Sequence, residues 1–184
     1  MKKTLMTIAS TAVLTFTGYA MAQSAQTSTL PAPKPVTQLS EFKPHVGVLL
    51  GAAQPEGSGI TASEIAIDIG YQPYIPFGIA AEFNHARIDD GIEAQDRNTL
   101  WLKGSYNFGG TTPVIKNSYL GLGVGSVFKP DGTSLAIAPI LGFDIPVART
   151  TEGVFSLGAS ARYAIVGDDE VDTFTLGGVV KYWY

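Results

Sequence analysis

Two histidines, His45 and His85, and sixteen acidic side chains are the groups in this chain best able to move a proton or hold a cation; there is no cysteine. Hydrolysis through a serine nucleophile needs a histidine beside the hydroxyl and an acid behind the histidine. One arrangement that supplies this within a single extended strand is a pair two residues apart, where side chains share a face. His45 is followed by Val46 and Gly47, and His85 by Ala86 and Arg87, so neither fits. His85, beside Arg87, reads as an interface residue. Without cysteine there is no disulfide framework and no thiolate metal site. The acidic stretches "DDGIEAQD" (89–96) and "GDDE" (167–170) offer hard oxygen ligands for Ca²⁺ or Mg²⁺, but they lack the spacing and glycine of an EF-hand loop. Any divalent cation there would be held loosely. No glycine-rich phosphate loop, metal-ligand cluster or basic patch occurs, so the reading is of no enzyme, no cofactor and no nucleic-acid partner.

A second set of charges is placed differently. Glu64, Asp68, Glu82 and Asp144 oppose Lys103, Arg162 and Lys181, each inside an alternating apolar/polar segment. From Pro44 onward the period is two, not the helical 3.6. Ile65, Ile67, Ile69 and Tyr71 alternate with Glu64, Ala66, Asp68 and Gly70; Leu100, Leu102 and Tyr106 alternate with Trp101, Lys103 and Ser105. The same pattern runs through "HVGVLLGAAQ", "FGIAAEFN", "YLGLGVGSVF", "SLAIAPILGFDI" and "VFSLGASARYAI", and a last strand over 172–184 makes eight. Turn-like stretches separate them at 55–61, 72–77, 89–97, 109–117, 129–133, 146–153 and 166–171. Eight strands joined by short breaks predict an all-β, up-and-down antiparallel barrel.

Which face is inside follows from the polar side. On a soluble barrel that side meets water and carries many Lys, Glu and Asp. Here it is mostly Gly, Ala, Ser and Thr with seven nearly balanced charges, which suits a narrow lumen that side chains just fill. The apolar side ends in aromatics (Tyr71, Phe77, Tyr106, Phe108, Phe143, Tyr163, Tyr182, Tyr184), as at a membrane interface. Charged residues are only 15% of the chain, against about a quarter in soluble domains. The expectation is a transmembrane barrel over 44–184.

Residues 1–22 read as a cleaved signal peptide, with Lys2 and Lys3, an apolar run from Leu5 to Phe16 that is too short to span a bilayer, and Ala20-Met21-Ala22 as the cleavage pattern. Residues 23–43 are Pro-, Ser-, Thr- and Gln-rich and read as a disordered periplasmic linker.

The ending Gly178-x-Val180-x-Tyr182-x-Tyr184 resembles the assembly signal of bacterial outer-membrane β-barrels, and the architecture resembles the OmpA transmembrane domain and OmpX-like family. That resemblance implies an outer-membrane location among lipid and lipopolysaccharide, with the barrel-assembly machinery and periplasmic chaperones as partners during biogenesis. Some barrels of this size modify lipid A; the deacylase kind needs His-x-Ser, absent here, and the palmitoyltransferase kind an N-terminal amphipathic helix that 23–43 does not supply. A structural or surface role is therefore expected, with a narrow pore as the alternative and a lipid A-modifying enzyme as the lesser one.

With both termini in the periplasm, the outward connections carry an acidic rim that includes Asp89, Asp90, Glu93, Asp96, Asp168, Asp169 and Glu170, opposed by Arg97 and Lys129. Inside, a symmetric strand 3–4 hairpin would set Glu82 near Lys103, and a tight "QPYIP" turn would set Asp68 near Glu82, with Arg162 as a cross-lumen partner. Glu64 and Lys181 face the same lumen, where charges must be paired to be tolerated. Deleting Tyr184 should lower the yield of folded protein in the outer membrane, read by heat-modifiable mobility; unchanged yield would refute the assembly reading.

Overall fold

The computed structural model describes residues 44–72, 76–89, 94–130, 132–167 and 170–184; the expected signal peptide and linker lie outside them. Eight strands follow one another: β1 (Pro44–Pro55), β2 (Ala62–Tyr71), β3 (Phe77–Asp89), β4 (Ala94–Asn107), β5 (Ser118–Lys129), β6 (Gly132–Arg149), β7 (Val154–Val166) and β8 (Thr173–Trp183). Each is antiparallel to its neighbours, and β8 closes on β1 through pairs from Pro55↔Thr173 to His45↔Trp183. A one-turn helix α1 (Pro113–Lys116) lies between β4 and β5. Closure leaves no strand edge unpaired, the condition for irregularity-free passage through hydrocarbon.

The strands are tilted, and the register measures how far. Following paired positions from Leu50 through Ile65, His85 and Asn98 reaches Phe128 on β5. Going the other way, through Gly178, Ala159 and Phe143, reaches Ser118. The two arrivals differ by ten residues, a stagger consistent with strands tilted by about 40°.

Alternation sorts the side chains as the sequence pattern predicts. Leu135, Leu102, Leu50 and Ile69 are 70, 67, 64 and 62% exposed on the outer wall, whereas Asp68, Glu82, Asp144 and Arg162 are buried. A barrel with this wall is membrane-embedded: a soluble protein does not leave a continuous apolar girdle in water. The lumen also holds apolar packing. Trp101, Val127, Ala136, Ala138, Ala164 and Val166 form one cluster, and Leu49, Ala66 and Val179 another.

Three connections are shorter than the sequence pattern predicts. Strand pairing continues to Asp89↔Ala94, so Asp89, Asp96 and Arg97 belong to strands and not to a loop over 89–97; no glycine or proline interrupts the chain before Gly91. Lys129 pairs with Gly132, leaving only 130–131 between β5 and β6. At 146–153 the expected break starts late. β6 runs on to Arg149 across a register shift between Pro146 and Ala148. Pro146 has no N–H to donate, and a bulge there lets the ladder resume beyond it.

Glycines on the inner faces give the large lumen side chains their room. A Cβ on Gly125 would stand 2.6 Å from Trp101 Cε3 and 2.8 Å from the Leu100 carbonyl oxygen, so nothing larger than hydrogen fits. On Gly104, which faces outward, a Cβ would meet nothing within 4 Å. Gly125→Ala should therefore destabilise the refolded barrel by about 1–3 kcal/mol in urea unfolding, while Gly104→Ala leaves the midpoint unchanged. Equal midpoints for both would show that Trp101 is not held against β5.

Candidate functional site

The lumen is where the chain concentrates its chemistry. On β2 and β3, Asp68 stands directly opposite Glu82, and Lys103 on β4 is one diagonal step from Glu82, opposite Ala80. Three inward-facing positions on consecutive strands thus bring two carboxylates and an ammonium together, and Lys103 Nζ donates to both Asp68 and Glu82. Arg162 reaches across from β7. One guanidinium nitrogen donates to Glu82 and the other to Glu64. Glu64 also accepts from the Asn84 amide and, at 3.0 Å, from the Thr175 hydroxyl on β8. The result is a continuous hydrogen-bonded ionic chain from β2 and β4 through the lumen to β7 and β8.

One further member joins it, and a separate ion pair lies beside it. His45 Nε2 bonds the other side of Asp68, its ring tilted against Trp183 with centroids 4.4 Å apart. Gly70 makes the room, since a Cβ there would lie 2.2 Å from His45 Cε1. Nearer the chain termini, Lys181 donates to Asp144 at 2.8 Å, with its ammonium 5.2 Å from the Tyr119 ring centroid. Arg162 similarly stands 5.1 Å from the Trp101 ring. Trp183 closes that end by donating from Nε1 to Ser156 at 3.1 Å.

Of the six lumen charges named from sequence, Glu64, Asp68, Glu82, Lys103 and Arg162 lie in one network, and Lys181 pairs separately with Asp144. Sequence reasoning missed His45 and Arg97. His45 shares a face with Gly47, as alternation from Val46 already requires. Arg97, assigned to a loop, projects inward from β4 and donates to Thr173 at 2.7 Å. With Arg97 counted, four carboxylates (Glu64, Asp68, Glu82, Asp144) and four permanent cations (Arg97, Lys103, Arg162, Lys181) lie in and beside the ionic layer, and Lys129, inward-facing at the far end of β5, pairs with Glu170. Two cavities among the described residues flank the ionic layer. A cavity of about 50 Å³ lies toward the termini, between Lys103 and Trp183, and one of about 20 Å³ lies beyond Arg162, beside Arg97 and Thr175.

The other predicted residues lie apart. Gly178, Val180, Tyr182 and Tyr184 share the outer wall of β8, with Tyr182 between Phe155 (4.7 Å) and Tyr184 (4.9 Å). The Tyr184 N–H donates to the Pro44 carbonyl at 3.1 Å, carrying the closing seam one residue past β8. Of the acidic rim, Asp90, Glu93, Asp168 and Asp169, and the side chain of Asp89, lie outside the described residues. Asp96 is exposed on the outer wall of β4, and Glu170 pairs with Lys129. Among the described residues no three His, Asp or Glu side chains are placed to hold a metal ion.

No protein-family model matches the sequence, and no curated protein does. Among solved structures, the chain is similar to Neisserial surface protein A, with a TM-score of 0.59 and 18% identity over 79% of this chain and 98% of that one. It also matches the N-terminal β-barrel domain of Pseudomonas aeruginosa OprF (TM-score 0.48, 17% identity, 78% and 99% covered) and Yersinia pestis outer membrane protein Ail (0.43, 17%, 77% and 100%). The first likeness shows the fold: an eight-stranded closed barrel of the outer-membrane type.

Truncating one member of the ionic chain leaves its partners charged and buried. Lys103→Met should cost about 3–5 kcal/mol in lipid-refolded protein. Adding Glu82→Gln should cost less than the sum of the two single changes, because the second removes a carboxylate the first had stranded. Strict additivity would show that the two groups do not interact.

Proposed function

We propose that this protein is a structural or surface component of the Gram-negative outer membrane, a barrel whose lumen is closed and whose contacts with its surroundings are made by its wall and its far-end connections. The reading rests above all on the ionic chain from His45 and Asp68 to Glu64 and Thr175, which crosses the lumen and is flanked, among the described residues, by cavities of about 50 and 20 Å³. An eight-stranded barrel has an interior that side chains fill. Opening the layer would separate paired ions and strand buried charges, which opposes it.

In this reading the ends bearing Pro44 and Tyr184 face the periplasm. The aromatic row of Tyr71, Phe77, Tyr106, Phe108, Phe155, Tyr182 and Tyr184 then marks the periplasmic interface. The acidic rim expected from the sequence would then belong to the outward connections, where carboxylates can share divalent cations with lipopolysaccharide phosphates. Catalysis has no support in the geometry. His45 is engaged by Asp68 beneath Trp183, and His85 Nδ1 meets the Asn98 amide oxygen at 2.9 Å on the outer wall.

The deciding measurement is single-channel recording of the refolded protein in planar bilayers, beside Lys103→Ala. A verified folded barrel with no discrete openings is the expected result. Discrete wild-type openings that change with Lys103→Ala would overturn the closed-lumen reading and make the pore the function.

A further inference from the structure

The outer wall is not equally tall all round. Outward-facing apolar residues run from Ile65 to Tyr71 on β2 and from Phe77 to Phe83 on β3, seven residues each. On β6 they run from Leu135 to Ile145, on β7 from Phe155 to Ile165 and on β8 from Phe174 to Tyr184, eleven residues each. At ~3.3 Å per residue and a tilt of about 40°, seven residues rise about 18 Å and eleven about 28 Å. Only the taller wall matches a hydrocarbon band of roughly 25–30 Å.

The deficit falls at one end. Tyr71 and Phe77, like Phe155 and Tyr184, stand at strand ends beside the chain's own start and finish, so both walls share that boundary. At the opposite end the short wall turns polar. Ser63 on β2, His85 and Arg87 on β3, and Asp96 and Asn98 on β4 all face outward there. The register gives the comparison across the barrel. From His85 the paired line reaches Thr133 on β6 in three steps, and the ten-residue stagger raises it by a little over one residue per step. The position on β6 level with His85 is therefore Ile137, and the one level with Arg87 is Leu135. Those two are 43% and 70% exposed.

We infer that the apolar belt is a wedge, and that the wall of β2 and β3 draws the polar headgroup layer of the far leaflet down to His85 and Arg87, thinning the bilayer on that side. This rests on the membrane-barrel reading above. Tilting the barrel cannot remove the mismatch, because tilt moves both ends of the short wall together and leaves its length unchanged. Lipid is the fitting occupant. Arg87 is exposed and makes no ion pair with Asp96, which stands opposite it on β4, His85 and Asn98 satisfy each other at 2.9 Å, and a guanidinium on a flexible stem reaches toward headgroup phosphates.

The chain has no cysteine, so single cysteines at His85, Ile137 and Leu141 can carry a spin label in the full-length protein refolded into phosphatidylcholine vesicles. The label at 85 should collide with a water-soluble nickel chelate severalfold more than the label at 137, while the label at 141 should collide with oxygen alone. In parallel, H85L/R87L lengthens the β3 run to eleven residues. Its unfolding midpoint should peak in longer-chain lipid than the wild type's, across dilauroyl, dimyristoyl and dioleoyl vesicles. Equal shielding from the chelate at 85 and 137, with no shift in optimum, overturns the wedge. A label at 141 open to the chelate overturns the membrane reading instead. An immobilised label at 85 that loosens on dilution in lipid would assign the surface to a second copy of the chain and overturn the lipid assignment.

Discussion

Inside a ring of eight strands there is room for little more than one layer of side chains, and every charge set there has to find its opposite within reach. That constraint organises the molecule. Carboxylates and permanent cations are matched within the described lumen, and Lys103 and Arg162 are each shared between two acids. Sharing lets one cation neutralise parts of two charges on different strands, so the network ties β2, β3, β4 and β7 together from within while the backbone ladder ties them at the surface. The glycines of β5 follow from the same crowding. Gly123 and Gly125 lie under the Trp101 ring, and that ring is the platform beside which the Arg162 guanidinium stands.

How much of this could be read in advance depended on how far apart in sequence the partners lie. Asp68, Glu82 and Lys103 occupy consecutive strands joined by tight connections, and symmetric hairpins set their neighbours almost without choice. Alternation alone assigned each inner face, Trp101 included, because a residue's side of the sheet depends only on its parity. The pairing of Lys181 with Asp144 was beyond that reach. It spans β6 and β8 across β7, and the register that sets Asp144 opposite Gly158 is shifted by the bulge between Pro146 and Ala148, which no single symmetric hairpin contains. Arg97 was misplaced for another reason. Its charged neighbours resembled a loop, yet no glycine or proline there ends the pairing, so the ladder ran on and carried it into the lumen.

The bulge at Pro146 was equally hidden. Read as sequence, "PVARTTEG" has every mark of a turn. In the fold, the missing N–H of Pro146 costs one ladder bond, and β6 still gains further pairs by continuing to Arg149. Local propensity gave way there to the pairing that β7 offers.

The interlocked lumen gives the molecule two populations of residues that would respond to random mutation in different ways. Along the outer wall, one aliphatic side chain can replace another with little effect on its neighbours, so changes there accumulate almost independently and the lettering drifts. In the lumen, the acceptability of a residue depends on which partner is already present: the value of Glu82 is set by Lys103 and Arg162, and that of Trp101 by Gly125. Changes there must arrive in compatible combinations. The barrel's interior is therefore constrained pair by pair, and the aliphatic middle of its exterior one residue at a time.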